Sequence, residues 1–125
     1  MKLLLDAHAV LWWMADDRRL GADARAGISD ACSVVLVSAA TVWEIEIKRR
    51  LGRLEMGDAD LTEQLVAEGF AELPISSRHA RRAAHLPPHH DDPFDRMIVA
   101  QALLEGLTCV SRDAALSAYG VPILW

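Results

Sequence analysis

The chain has 125 residues, 52% of them hydrophobic, and a formal net charge of −5. That suits one ordinary domain over residues 1–125 with a real core, and it excludes a disordered chain. The negative charge excludes a global attraction to nucleic acid or to an anionic membrane, so any such partner needs a local basic patch or a bound cation.

No apolar run is long enough to span a membrane, and the run after Met1 is too short for a signal peptide. The expected location is therefore the cytoplasm. Cys32 and Cys109 each sit in an apolar, strand-like run without metal-ligand spacing. They are expected to be reduced core residues.

Lys2 to Leu5 is a short apolar run ending at Asp6. Such runs suit a strand buried on both faces, as in a parallel sheet. Asp6 then lies just past the strand's carboxyl end, where active groups gather, or it caps the next helix. Ala9 to Ala15, with Leu11, Trp12, Trp13 and Met14, is too apolar for an exposed helix. It is core, or one side of it docks on a partner. Ala22 to Asp30 reads as a short surface helix.

Ser33 to Val37 is a second buried strand, followed by a helix to about Leu51. Trp43, Ile47 and Leu51 recur at four-residue steps as one apolar stripe, and Glu44 and Lys48 are neighbours on the same helix. Ser38 and Thr41 compete as its N-cap. Lys48, Arg49, Arg50 and Arg53 are the most basic cluster, either a solvated face or a means of steering a polyanion. Leu61 to Gly69 reads as a helix, Ala71 to Leu73 as a strand, and Ser76 caps a helix to about Ala84 that Pro87 and Pro88 stop.

The stretch His89-His90-Asp91-Asp92-Pro93-Phe94-Asp95-Arg96 precedes an apolar run, Met97 to Leu104, that reads as a buried helix ended by Gly106. Asp92 is a good N-cap with Pro93 at the first helical position. Asp95 then sits in the first turn, free to face something else. The adjacent His89 and His90 are not expected to bind one ion together. Leu107 to Val110 is another strand, Asp113 follows it as Asp6 follows the first, and Val121 to Leu124 is the last. Repeated βα units argue a three-layer α/β domain around a mostly parallel sheet of about four to five short strands.

Four acids, Asp6, Glu44, Asp95 and Asp113, thus fall at strand ends or helix mouths and can converge at one sheet edge. Clustered carboxylates stay ionised together only around a cation, and hard oxygen donors favour Mg²⁺ or Mn²⁺ over zinc. Such metals activate water and clamp a phosphodiester.

These pieces match a known family in order along nearly the whole chain. Leu3-Leu4-Leu5-Asp6, Ser38 through Trp43-Glu44-Ile45 with Lys48, Asp92-Pro93-Phe94-Asp95-Arg96, and Ser111-Arg112-Asp113 together resemble a PIN domain, in particular the toxin ribonuclease of a VapBC-type toxin–antitoxin pair. The resemblance implies a Mg²⁺- or Mn²⁺-dependent endoribonuclease that leaves a 5′-phosphate. It implies an acidic site of Asp6, Glu44, Asp95 and Asp113, with Asp6 and Asp95 as direct metal ligands. Glu44 and Asp113 bind the metal directly, through water, or from the second shell. Asp91 and Asp92 compete with Asp95 for the metal-facing place. It further implies a cognate antitoxin covering the site, with the Leu11-Trp12-Trp13-Met14 helix in its groove, and a homodimer.

Rival readings are a PIN-like nuclease acting on DNA, a catalytically silent adaptor of the same fold, and a receiver-like phospho-acceptor domain. The last expects paired acids near the first strand and a lysine past the last one. Here Asp6 stands alone and Lys48 is the final lysine.

Overall fold

The apolar run after Met1 becomes the middle of the sheet. In the computed structural model, which describes residues 1–125, β1 is Lys2–Leu5, β2 Val34–Ser38, β3 Ala71–Leu73, β4 Thr108–Val110 and β5 Ile123–Leu124. Their order is β3-β2-β1-β4-β5, and every neighbouring pair is parallel. Leu3, Leu4 and Leu5 are 0% exposed, as a strand covered on both faces requires.

Alternation along β1 divides the core in two. Leu3 and Leu5 pack with Val10, Trp12, Ile28, Ile45 and Leu65. These come from α1 (Ala7–Met14), α2 (Ala22–Ser29), α3 (Ala39–Arg50) and α4 (Leu61–Ala67). Leu4 points to the other face, against Ala83, Ile98, Val99 and Leu116. That layer is α5 (Ser77–His85), α6 (Pro93–Glu105) and a 3-10 helix, Ala114–Tyr119. The result is the expected three-layer α/β arrangement, with five strands that are all parallel. Gly106 ends α6 in the left-handed region at φ 67°, where a Cβ is disfavoured.

Because the strands are parallel, their carboxyl ends share one edge. Asp6 follows β1, Ser38 ends β2 and caps α3, and Asp113 lies just past β4. Ser38, not Thr41, is the α3 cap: its Oγ accepts the Ala40 N–H at 3.0 Å.

One expectation needs correction. Cys32 is exposed, since β2 begins only at Val34 and the Asp30 carboxylate turns the chain by accepting the Cys32 N–H at 2.9 Å. Cys109 is buried as expected, and its surroundings push the thiol up to about 12. The Trp43–Ile47–Leu51 stripe is not the core face of α3. Trp43 is 63% and Leu51 56% exposed, because Ala40, Thr41 and Ile45 face the sheet instead.

Candidate active site

Helix capping places three aspartates at this edge. Asp6 caps α1, its Oδ1 accepting the Ala9 N–H at 2.8 Å. Asp92 caps α6 by accepting from the N–H groups of Phe94 at 2.8 Å and Asp95 at 3.3 Å, with Pro93 opening the helix. Asp113 caps the 3-10 helix, its Oδ1 accepting the Ala115 N–H at 3.0 Å. A short polar side chain satisfying the orphan N–H groups of a helix mouth is fixed there by local chemistry. The cap reading of Asp6 is therefore true of its geometry, and the same geometry keeps its carboxylate at the carboxyl edge of the sheet.

Asp95 and Glu44 arrive differently. Asp95 lies in the first turn of α6 with no N–H of its own to accept. Glu44 comes from the second turn of α3 and takes Lys48 Nζ at 2.9 Å, the expected neighbour four residues on. Together Asp6, Glu44, Asp95 and Asp113 line one cavity of about 390 Å³, with Asp92, Lys48, Arg112 and His8 also in its wall. Asp91 is exposed and outside that lining.

Burial decides the electrostatics. The Asp6 carboxyl is raised above its ordinary value, chiefly by desolvation, although the Ala9 N–H, the Ser111 hydroxyl and His8 pull the other way. The Asp95 carboxyl is raised to about 7, first by burial, then by the charge of Asp92, and further by Asp6 and Glu44. Such a set holds protons or a cation, because bare negative charges at this density repel. All the acidic donors are hard oxygens, so the chemistry of the cavity fits Mg²⁺ or Mn²⁺.

His90 is the residue that sequence reasoning missed. Its Nδ1 accepts the Asp92 backbone N–H at 3.1 Å. The ring proton therefore sits on Nε2, which donates to Asp113 Oδ2 at 2.8 Å and lies 3.5 Å from Asp95 Oδ2. Arg96 locks this loop, donating to the carbonyls of Ala83 at 3.0 Å, Leu86 at 2.8 Å, Pro87 at 3.0 Å and His90 at 3.2 Å. The one sequence signal was local: a ring two residues before a capping aspartate can accept that cap's own N–H.

The basic residues divide unexpectedly. In the cluster picked out by sequence, Lys48 pairs with Glu44, while Arg49 pairs with Glu46 and the Gly57 carbonyl. On α5, Arg78, Arg81 and Arg82 are exposed and join no ion pair. With His85 and Leu104 they line a surface pocket of about 480 Å³ that contains no acid.

Beside the acidic cavity lies a larger groove of about 570 Å³, lined by Leu11, Trp12, Met14, Leu54 and Met56 and sharing His8 and Lys48 with it. Trp13 is not part of this groove. It packs on Phe70 and its indole N–H donates to Glu68 at 3.0 Å.

A five-stranded parallel sheet carrying four acids at its carboxyl edge defines the class: the chain belongs to the PIN domain family, whose model matches residues 3–122. Among particular proteins, it is similar to Ribonuclease VapC22 of Mycobacterium tuberculosis (strain ATCC 25618 / H37Rv). The two are 30% identical over 122 residues, covering 96% of this chain and 93% of that protein. The fold is shared with a toxin–antitoxin complex from Klebsiella pneumoniae, at TM-score 0.66 and 19% identity, covering 98% of this chain and 96% of that one. It is also shared with VapBC2 from Rickettsia felis bound to a promoter DNA fragment, at TM-score 0.67 and 10% identity, covering 98% and 97%.

Proposed function

We propose that this chain is a divalent-metal-dependent endoribonuclease and the toxin of a toxin–antitoxin pair. The observation that carries the reading is the single cavity in which Asp6, Glu44, Asp95 and Asp113 meet, with two carboxyls raised by burial. Asp6 and Asp95 would hold Mg²⁺, for which Mn²⁺ could substitute, and Glu44 and Asp113 would complete the acidic set. When bound, the cation would supply neutralising charge for a phosphodiester and would lower the pKa of water.

The chain's own groups do the rest. Lys48 and Arg112 place positive charge in the cavity wall, where a phosphate enters. Lys48 also orients the Glu44 carboxylate. The unpaired arginines of α5 supply the local polyanion attraction that the net charge of −5 denies the whole molecule. RNA is the substrate supported by the similarity to a ribonuclease.

The groove along Leu11, Trp12 and Met14 suits an apolar segment of an antitoxin, whose docking there would overhang the acidic cavity. The toxin–antitoxin complex from Klebsiella pneumoniae, which shares the fold, supports that partner, and the family resemblance makes a homodimer the expected assembly. No helix is long and apolar enough to cross a membrane.

The test uses end-labelled RNA and full-length chain freed of any co-purifying protein. Cleavage should cease in EDTA and return when Mg²⁺ or Mn²⁺ is added in excess. Cleavage indifferent to chelation rejects the metal mechanism, and intact RNA under all conditions beside degraded single-stranded DNA rejects the RNA assignment.

A further inference from the structure

We propose that α5 is a second binding site, for backbone phosphates that flank the scissile bond, and that it makes the chain select RNA strands reaching several nucleotides beyond the acidic cavity. The inference rests on the ribonuclease reading above and deepens it from a substrate class to a substrate length.

Spacing builds the site. Arg78, Arg81, Arg82 and His85 follow one another at three- and four-residue steps along α5, so they share one face. All four are exposed and line one pocket, while His79 and Ala83 turn the opposite face into the protein. From Arg78 to His85 the helix rises about 10 Å, room for about two phosphates of an extended strand. The chain has 18 acids against 13 Lys and Arg, yet none of those acids pairs with these three arginines. Their guanidinium forks are left to a ligand, and phosphate oxygens match that fork.

Packing aims the stripe at the cavity. α5 and α6 run antiparallel, as their end contacts show. His79, in the first turn of α5, meets Glu105 at the end of α6 at 2.9 Å. Arg96, near the start of α6, donates to the carbonyls of Ala83 at 3.0 Å and Leu86 at 2.8 Å, where α5 ends. The His85 end of the stripe therefore lies toward the helix mouth that carries Asp92 and Asp95. Leu104, the remaining residue of the pocket, is in the last turn of α6, about 13 Å along the axis from Asp95. A strand whose scissile phosphate sits among the four acids needs several further nucleotides to lie along α5.

A nucleic-acid backbone fits this face better than a lipid surface. A helix that lies on a membrane turns bulky apolar side chains outward beside its cations. Here Leu104 is the one apolar residue of the pocket.

Fluorescence anisotropy of a fluorescein-labelled oligouridylate of about 16 nucleotides reads binding without cleavage, on full-length, partner-free chain in EDTA. Arg78→Gln, Arg81→Gln and Arg82→Gln together should raise its Kd about tenfold or more. They should also lower the slope of log Kd against log salt by about 1.4, the share of two phosphates on a single strand. Arg78→Lys, Arg81→Lys and Arg82→Lys together should restore that slope, because the charge remains. Arg18→Gln, Arg50→Gln and Arg53→Gln remove the same charge from other exposed positions and should stay within about threefold of wild type.

Cleavage in Mg²⁺ then tests the link to the cavity. On a long RNA the α5 glutamine variant should show a KM about tenfold higher at unchanged kcat, as loss of uniform binding requires. On the same RNA trimmed to about two nucleotides either side of the cleaved bond, it should match wild type. Wild-type Kd and KM in that variant overturn the proposal, as does an equal loss in the Arg18, Arg50 and Arg53 variant, which leaves only overall charge at work. Unchanged RNA binding beside lost binding to phosphatidylserine vesicles overturns it in favour of a membrane surface. Wild-type chain that cleaves no RNA removes the ribonuclease reading itself, a result separate from binding measured without metal.

Discussion

Two sets of aspartates in this molecule start from the same chemistry and end at opposite extremes. On the surface, Asp17 is met by the Arg19 guanidinium at 2.7 Å and the Arg19 N–H at 2.8 Å, and its carboxyl falls to about 2. Asp60 accepts the Thr62 hydroxyl at 2.6 Å and is likewise lowered. At the sheet edge, Asp6 also accepts a helix N–H at 2.8 Å, yet burial outweighs that bond and its carboxyl is raised. Asp95, with no such bond and with Asp92, Asp6 and Glu44 nearby, is raised to about 7. Capping alone does not make a site. What distinguishes the inner set is desolvation combined with an unmet demand for positive charge, which an entering cation can satisfy.

The largest test of that contrast is activity. Asp95→Asn and Asp6→Asn keep the shape of each side chain and remove its charge, so RNA cleavage should fall by on the order of 10²–10³-fold or more. Asp17→Asn, equally conservative but outside the cavity, should leave cleavage within about twofold. Initial rates on one labelled RNA at saturating Mg²⁺ make the comparison. A folded Asp95→Asn protein with full activity would sink the assignment of the inner set.

Most of the inner set was legible in the sequence because it is built locally. Asp6, Asp92 and Asp113 each stand at a helix mouth, and capping is a matter of two or three residues. Their convergence followed from βα repetition, which makes a parallel sheet and brings strand ends together. What was not legible depends on distant partners. His90 meets Asp113 across 23 positions of sequence, and nothing in either neighbourhood announces the other. The exposed α5 arginines and the paired Lys48 and Arg49 look alike in sequence, and their difference is only where acids fall in space. The direction of the Trp43 stripe was not legible either, because four-residue spacing defines a face without saying which way it turns. Trp43 instead packs edge-on against Phe94 at 5.3 Å.

A second test reads the same contrast in stability. The folded-state carboxyl of Asp95 lies at about 7, above its ordinary 3.8, so the folded state takes up a proton more readily than the unfolded one. Its contribution is fully present below about pH 4 and is lost as pH rises through 7. Three units set a ceiling of about 4 kcal/mol, which partial solvent access and the coupled neighbours reduce to roughly half. Metal-free protein should therefore lose thermal stability between pH 5 and pH 8, about 2 kcal/mol on this account. Asp95→Asn should flatten that limb and melt higher than wild type at pH 8, although it is inactive. Added Mg²⁺ should restore the wild-type midpoint at pH 8 through preferential binding to the folded state. A wild-type midpoint that stays level across this range, with Asp95→Asn no more stable, would mean that the inner carboxylates carry no such penalty.

The outer set should give a smaller effect of opposite sign. The Asp17 carboxyl is lowered from 3.8 to about 2, so its stabilisation is present above pH 4 and lost as pH falls toward 2. Its partner Arg19 is exposed and the pair is screened by water and salt, so the gain is slight. Asp17→Asn should lower the midpoint at pH 7 by no more than about 2 °C, and the gap to wild type should close as the pH approaches 2. Raising the ionic strength should narrow it as well, because the interaction is at the surface. Calorimetric scans of wild type, Asp17→Asn and Asp95→Asn over one pH series would show both slopes together. A deficit in Asp17→Asn that persists below pH 2 would place its role in packing or turn geometry and remove the ion pair from the comparison.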